Sequence, residues 1–171
     1  SVGFSALMAV HAQYLAGRSE TDYIANSERL FRRAIAKLIY PEARQLIEAH
    51  RAAGHSIAII SSATPYQVLP TAKDLGIEHV YATNLEVEDG QFTGGVVQPT
   101  CFGIGKVHAA ERFIAQQGSD LENCFFYSDS IDDIELMETA GRPVVLNGSR
   151  ELKKTAREAG WPMADFSSRG N

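Results

Sequence analysis

A chain of 171 residues with 44% hydrophobic content is enough for one α/β domain, or one domain with a small accessory part, and for a real core. Its 16 basic and 21 acidic residues leave a net charge of −5. That excludes a nucleic-acid partner, because duplex affinity comes mainly from clustered Lys and Arg. No apolar run approaches the roughly 20 residues that span a bilayer, so no transmembrane segment is expected.

Residues 4–16 place Phe4, Leu7, Met8, His11 and Leu15 on one helical stripe that stops at Gly17. His11 on that stripe reads as a packed, hydrogen-bonded histidine rather than a ligand. A second amphipathic helix is predicted over 27–40, with Leu30, Phe31, Ala34, Ile35 and Leu38 on its apolar face. Two consecutive helices without an intervening strand suggest a helical module.

From Pro41 the rhythm changes. A helix over 42–53 ends at Gly54, and Ile57–Ile60 reads as a buried strand. Thr64 caps a helix from Pro65 to about Leu75, although Pro70 interrupts its pattern. A short strand over 79–82 precedes a hairpin over 85–97, signalled by Asp89-Gly90. Then follow a helix opened by Lys106 and ended by Gly118, a strand over 124–127 and a helix over 132–140. A strand over 143–146 and a helix over 149–159 complete the pattern. This alternation implies a Rossmann-like parallel sheet with helices on both faces. Neither a CxxC pair nor a disulfide framework can be made from Cys101 and Cys124, and Cys124 is expected to be a buried small hydrophobe. A reduced cytoplasmic setting follows.

Three polar features fall at strand ends or nearby helix starts, where ligands bind in open parallel sheets. Ser61-Ser62-Ala63-Thr64 follows a strand and opens a helix, so its hydroxyls and free N–H groups suit a phosphate; helix capping alone would explain the same residues. Asp129, Asp132 and Asp133 crowd three carboxylates after a strand, a costly arrangement without a cation, and their hard oxygens suit Mg2+. Asp132 and Asp133 could instead simply favour a helix N-terminus, whereas Asp129 precedes that turn. Lys106, behind Gly103-Ile104-Gly105, puts a cation where a helix dipole disfavours it, which suggests a nearby anion.

A strand-end Ser, a later Lys at a helix start and Asp-x-x-x-Asp after a strand, in that order, resemble motifs two to four of the haloacid-dehalogenase (HAD) superfamily. The resemblance runs from about Ala43 to Phe166 and is closest to the phosphoserine-phosphatase-like branch of bacterial hydrolases, subfamily IB. Ala82–Val87 with Gly90 and Thr93-Gly94 looks like the hairpin of that branch, and Gly160-Trp161-Pro162 like its last helix-to-strand turn. The resemblance implies an incomplete HAD core over 42–171, with residues 1–41 as the end of a helical C1-type cap.

The implied activity is Mg2+-dependent hydrolysis of a small phosphorylated substrate through an aspartyl-phosphate. Carried over, Ser61, with Ser62 as its rival and Ala63 beside them, would bind the phosphoryl group. Lys106 would neutralise phosphate and nucleophile, Asp129 would bind Mg2+, and Asp133 would support the metal or its waters. The role of Asp132 stays open. The family's Asp-x-Asp-x-Thr, which carries nucleophile and general acid, does not occur in these 171 residues.

The start at Ser1 without Met and the polar end 167–171 therefore suggest a fragment that has lost its N-terminal motif and the central strand, with little activity alone. Such a gap in the sheet would favour oligomerisation. The rival expectation is a non-catalytic domain that binds a phosphate-bearing ligand or regulates a fused enzyme, such as the phospholipid acyltransferase domain that follows some relatives. A dinucleotide-binding fold is excluded by the lack of Gly-x-Gly-x-x-Gly after a strand.

Overall fold

A computed structural model of the chain describes residues 2–167, so most of the polar end at 168–171 lies outside the described residues. Seven helices and seven strands alternate as an α/β fold among them. The chain forms two compact units: among the described residues, one takes those up to Ile39 together with Ile57–Phe102, the other Tyr40–Ser56 and 103–167.

In the first unit, α1 (Val2–Leu15) and α2 (Glu20–Leu30) are followed by a π-turn at Phe31–Ile35 and a 3-10 turn at Ala36–Leu38. Ser19 caps α2 by accepting from Asp22 N at 3.2 Å, which explains why α2 starts well before residue 27. Parallel strands β1 (Ala58–Ile60) and β2 (His79–Tyr81) are joined through α4 (Pro65–Asp74), and β3 (Leu85–Glu88) and β4 (Gln91–Val96) form the hairpin. Pro70 is accommodated inside α4.

The core of this unit sits between α1 and the hairpin: Ala12, Leu15, Leu85 and Phe92 are buried, with Met8, Tyr23 and Tyr66 against them. Helix and hairpin approach closely at Gly94 (φ +92°), where a Cβ would press on Gln13 and Ala16; Gln13 Nε2 donates to Gly94 O at 3.0 Å. The expected stripes shift here. Leu7 is 70% exposed and Ala12 takes its place inside; of the 27–40 stripe only Phe31 is buried, while Leu30, Ile35 and Leu38 face solvent. The π-turn adds a residue to one turn of that helix, which rotates the apolar positions out of register.

In the second unit, α3 (Pro41–Ala52) precedes α5 (Ile104–Gln117), and β5 (Phe125–Ser128), α6 (Ile134–Thr139), β6 (Arg142–Leu146), α7 (Arg150–Ala159) and β7 (Met163–Ala164) complete it. The sheet is parallel throughout, in the order β5-β6-β7. Helix crossovers force that direction, because consecutive parallel strands need a long connection. Its core is Met137, Val145, Leu152 and Ala156, with Phe126, Ile131 and Trp161 packed on them. Ser149 caps α7 by accepting from Leu152 N at 3.2 Å. The parallel pairing is thus divided between β1-β2 and β5-β6-β7, and no ladder joins the two among the described residues. Cys124 departs from expectation: it precedes β5, is half-buried, and its Sγ donates to Asp120 O at 3.3 Å, whereas Cys101 is the buried cysteine.

Candidate active site

In the first unit, β1 ends at Ile60 and the chain turns at once into α4. Ser61 Oγ accepts from Ala63 N at 3.2 Å, Ser61 N donates to Tyr81 O at 2.9 Å, and Thr83 N donates to Ala63 O at 3.0 Å. These bonds fix the turn against the end of β2. Thr64, 1% exposed, is the N-cap, and its N–H donates to Gln67 Oε1 at 3.2 Å. The Ser61–Ala63 turn therefore stands at a strand's carboxyl end and at the positive end of a helix.

In the second unit, α5 begins at Ile104, with Gly103 as N-cap at φ +52°, ψ −125°, a conformation that favours glycine. Lys106 is thus the third helical residue and not the first. It is only 7% exposed, and its Nζ makes an ion pair and hydrogen bond with Asp133 Oδ1. Asp133 is 8% exposed; its other oxygen, Oδ2, accepts from Ser128 Oγ at 2.6 Å. Ser128, the last residue of β5, also accepts from Ser130 N at 3.1 Å. A buried lysine, a buried carboxylate and a buried hydroxyl thus form one closed network, each charge compensated by a partner.

Asp129 and Asp132 are exposed on the turn between β5 and α6. The Asp129 carbonyl accepts from Ser149 N at 2.8 Å, tying this turn to the start of α7. Ser130 Oγ accepts from Asp132 N at 3.2 Å, as a helix cap. Among the described residues no three His, Cys, Asp or Glu side chains converge on one metal position.

The structure therefore brings Lys106 and Asp133 together and places Asp129 four residues before Asp133, while Ser61, Ser62 and Ala63 belong to the other unit. Sequence reasoning missed Ser128 as a site residue; the available signal was a serine immediately before the strand-end aspartate. A groove of about 300 Å³ among Glu28, Phe31, Arg32, Pro70, Lys73 and Asp74 includes none of the candidate residues.

The family profile described as haloacid dehalogenase-like hydrolase matches residues 2–138. The chain belongs to the haloacid dehalogenase-like hydrolase family. It is 35% identical over 154 residues to the phosphoserine phosphatase SerB1 of Mycobacterium tuberculosis, covering 90% of this chain and 50% of that protein. It is 30% identical over 165 residues to a histidinol-phosphatase of Neisseria meningitidis, covering 94% of this chain and 74% of the relative. A crystal structure of a Bordetella pertussis protein of unknown function superposes with a TM-score of 0.86 at 29% identity, over 94% of this chain and 73% of the other. The chain spans about half the length of the mycobacterial relatives it matches. No helix among the described residues is long and apolar enough to cross a membrane.

Proposed function

We propose that this chain supplies the phosphate-binding and cation-binding part of a Mg2+-dependent phosphomonoesterase acting on a small phosphorylated substrate in the cytoplasm, with the nucleophile provided by sequence outside these 171 residues. The carrying observation is the buried Lys106–Asp133 pair, at the start of α5 and just beyond the carboxyl end of β5, with exposed Asp129 at that strand end. In this assignment residues 1–41 are the end of a helical cap and 42–171 the catalytic core. Phosphoserine and histidinol phosphate are the substrate classes suggested by the relatives' names.

The donor chemistry suits the cation: Asp129 offers a hard carboxylate oxygen, and Mg2+ is commonly held by one or two carboxylates with waters and phosphate in the remaining positions. Bound there, Mg2+ would polarise a phosphoryl oxygen and offset charge on the transferring group. Asp133, with one oxygen on Lys106 and the other on Ser128, holds the ammonium in place. Lys106 would offset the negative charge of a phosphoryl group, while in the other unit Ser61, Ser62 and the N–H groups near Ala63 are donors suited to an anion. The division of labour is electrostatic: these residues bind and orient, and the covalent step falls to an aspartate elsewhere.

Two measurements test this. Tungstate binding to the chain should weaken at least tenfold in Lys106→Ala, and equal affinity would remove Lys106 from the phosphate site. Aryl phosphate hydrolysis by the protein extended to the length of its relatives should require Mg2+; a folded, extended protein with no hydrolysis would favour the second reading. That reading, a non-catalytic phosphate-binding or regulatory domain, is favoured by the lack of Asp-x-Asp-x-Thr in these residues.

A further inference from the structure

The second unit holds a cluster that the phosphatase reading does not use. His50 lies in the last turn of α3, and the chain reverses at Gly54 (φ +76°), so that His55 N donates back to His50 O at 3.0 Å. This turn brings the two imidazoles together, tilted by 43°, with His50 Nδ1 and His55 Nδ1 2.8 Å apart. On its other side, His50 Nε2 lies 2.7 Å from Tyr127 Oη. Phe125 walls the pair, its ring centroid 5.1 Å from that of His50 and 6.1 Å from that of His55, and the Arg142 guanidinium carbon lies 5.0 Å from the Phe125 centroid.

We propose that His50 and His55 form a bidentate imidazole site for a divalent d-block cation of tetragonal preference, Cu2+ or Ni2+. Two nitrogens about 2.0 Å from a metal and 90° apart are separated by about 2.8 Å, whereas tetrahedral angles would separate them by about 3.3 Å. The 2.8 Å between the two Nδ1 atoms is that of a hydrogen bond in the metal-free pair, and as a chelating bite it matches the 90° geometry. A ligating imidazole also needs its second nitrogen protonated and oriented; in the tautomer with His50 Nε2 protonated, Tyr127 Oη accepts from it, and His50 Nδ1 accepts the His55 Nδ1 proton, which a metal would displace. His55 is exposed, so the remaining coordination positions open to water or an external ligand. The Arg142 guanidinium is directed to the Phe125 ring.

The test uses the 171-residue chain, Cu2+ alone, and electron paramagnetic resonance beside calorimetric titration. One equivalent should bind with a tetragonal spectrum showing nitrogen couplings from two imidazoles. His55→Ala should lower affinity at least tenfold and leave one nitrogen, and His50→Gln should do the same. Tyr127→Phe, which removes only the orienting acceptor, should lower affinity about tenfold while both nitrogens remain. The exposed His108→Ala serves as the unaffected control. Wild-type affinity and spectrum in His55→Ala, or a wild-type spectrum without two nitrogens, would reduce the contact to a shared proton and overturn the proposal. Circular dichroism of each variant separates loss of a ligand from loss of fold.

Discussion

Lys106→Met tests the central network most directly. The side chains of Lys106 and Asp133 are 9% and 10% exposed, so solvent screens the pair weakly. Removing the ammonium leaves the Asp133 carboxylate buried with only the Ser128 hydroxyl to compensate it, at a cost of about 3–5 kcal/mol. For a chain of this size that corresponds to a fall in Tm of about 10 °C. Replacing both groups, as in Lys106→Met with Asp133→Leu, removes the uncompensated charge, so the double variant should recover at least about 2 kcal/mol relative to the sum of the singles. Urea unfolding of wild type, both singles and the double gives the coupling energy. Additivity of the two singles within about 0.5 kcal/mol would refute the argument, because it would mean that the charges are solvated independently.

The pH dependence should have two edges. Burial and His55 depress the His50 pKa, so below about pH 6.5 the unfolded chain takes up a proton that the folded chain resists; stability should fall there, and a His50 ring that titrates by NMR at or above 6.5 would contradict this. Burial, and then the hydrogen bond to Glu20 at 2.6 Å, raise the Tyr66 pKa far above its ordinary 10.0. From pH 10 upward the unfolded chain releases a proton that the folded chain keeps, so stability should decline and tyrosinate absorbance should appear with unfolding; an unchanged alkaline slope in Tyr66→Phe would exclude Tyr66 as the cause. Gly141→Ala should cost about 1–3 kcal/mol in thermal unfolding, because the new methyl would run into the Glu122 carbonyl; a Tm equal to wild type would show that this turn can give.

How much was legible in the sequence depended on the range of the signal. Local punctuation read correctly: Pro65 after Thr64, Asp89-Gly90 in the hairpin, and Gly118 and Gly160 beyond helix ends all mark element boundaries in the structure. Period alone did worse. A helix has several candidate faces, and α1 buries Ala12 because the hairpin backbone comes close at Gly94, something no pattern within residues 4–16 contains. The π-turn at Phe31–Ile35 likewise breaks a stripe that looked continuous in sequence. Lys106 shows the limit most clearly. Its placement near a helix start was readable, but its burial was not, because the carboxylate that permits burial stands 27 residues away.

The same network decides which carboxylate is left for a cation. Asp133 commits Oδ1 to Lys106 and Oδ2 to Ser128, so direct metal ligation there would have to break a buried hydrogen bond. Asp129 is exposed at the strand end, and its backbone, held by Ser149, fixes where the carboxylate starts. Asp129→Asn and Asp133→Asn should therefore differ in kind. The first should leave Tm within about 2 °C of wild type, since a surface change rarely exceeds about 0.5 kcal/mol, while weakening Mg2+ binding at least tenfold. The second should unsettle Lys106 and lower Tm by several degrees, with any loss of Mg2+ affinity following from the loss of structure. Parallel measurement of Tm and Mg2+ affinity separates the two. If Asp129→Asn destabilised the fold while Asp133→Asn spared it, the assignment of the charge-compensating and cation-binding roles would be reversed.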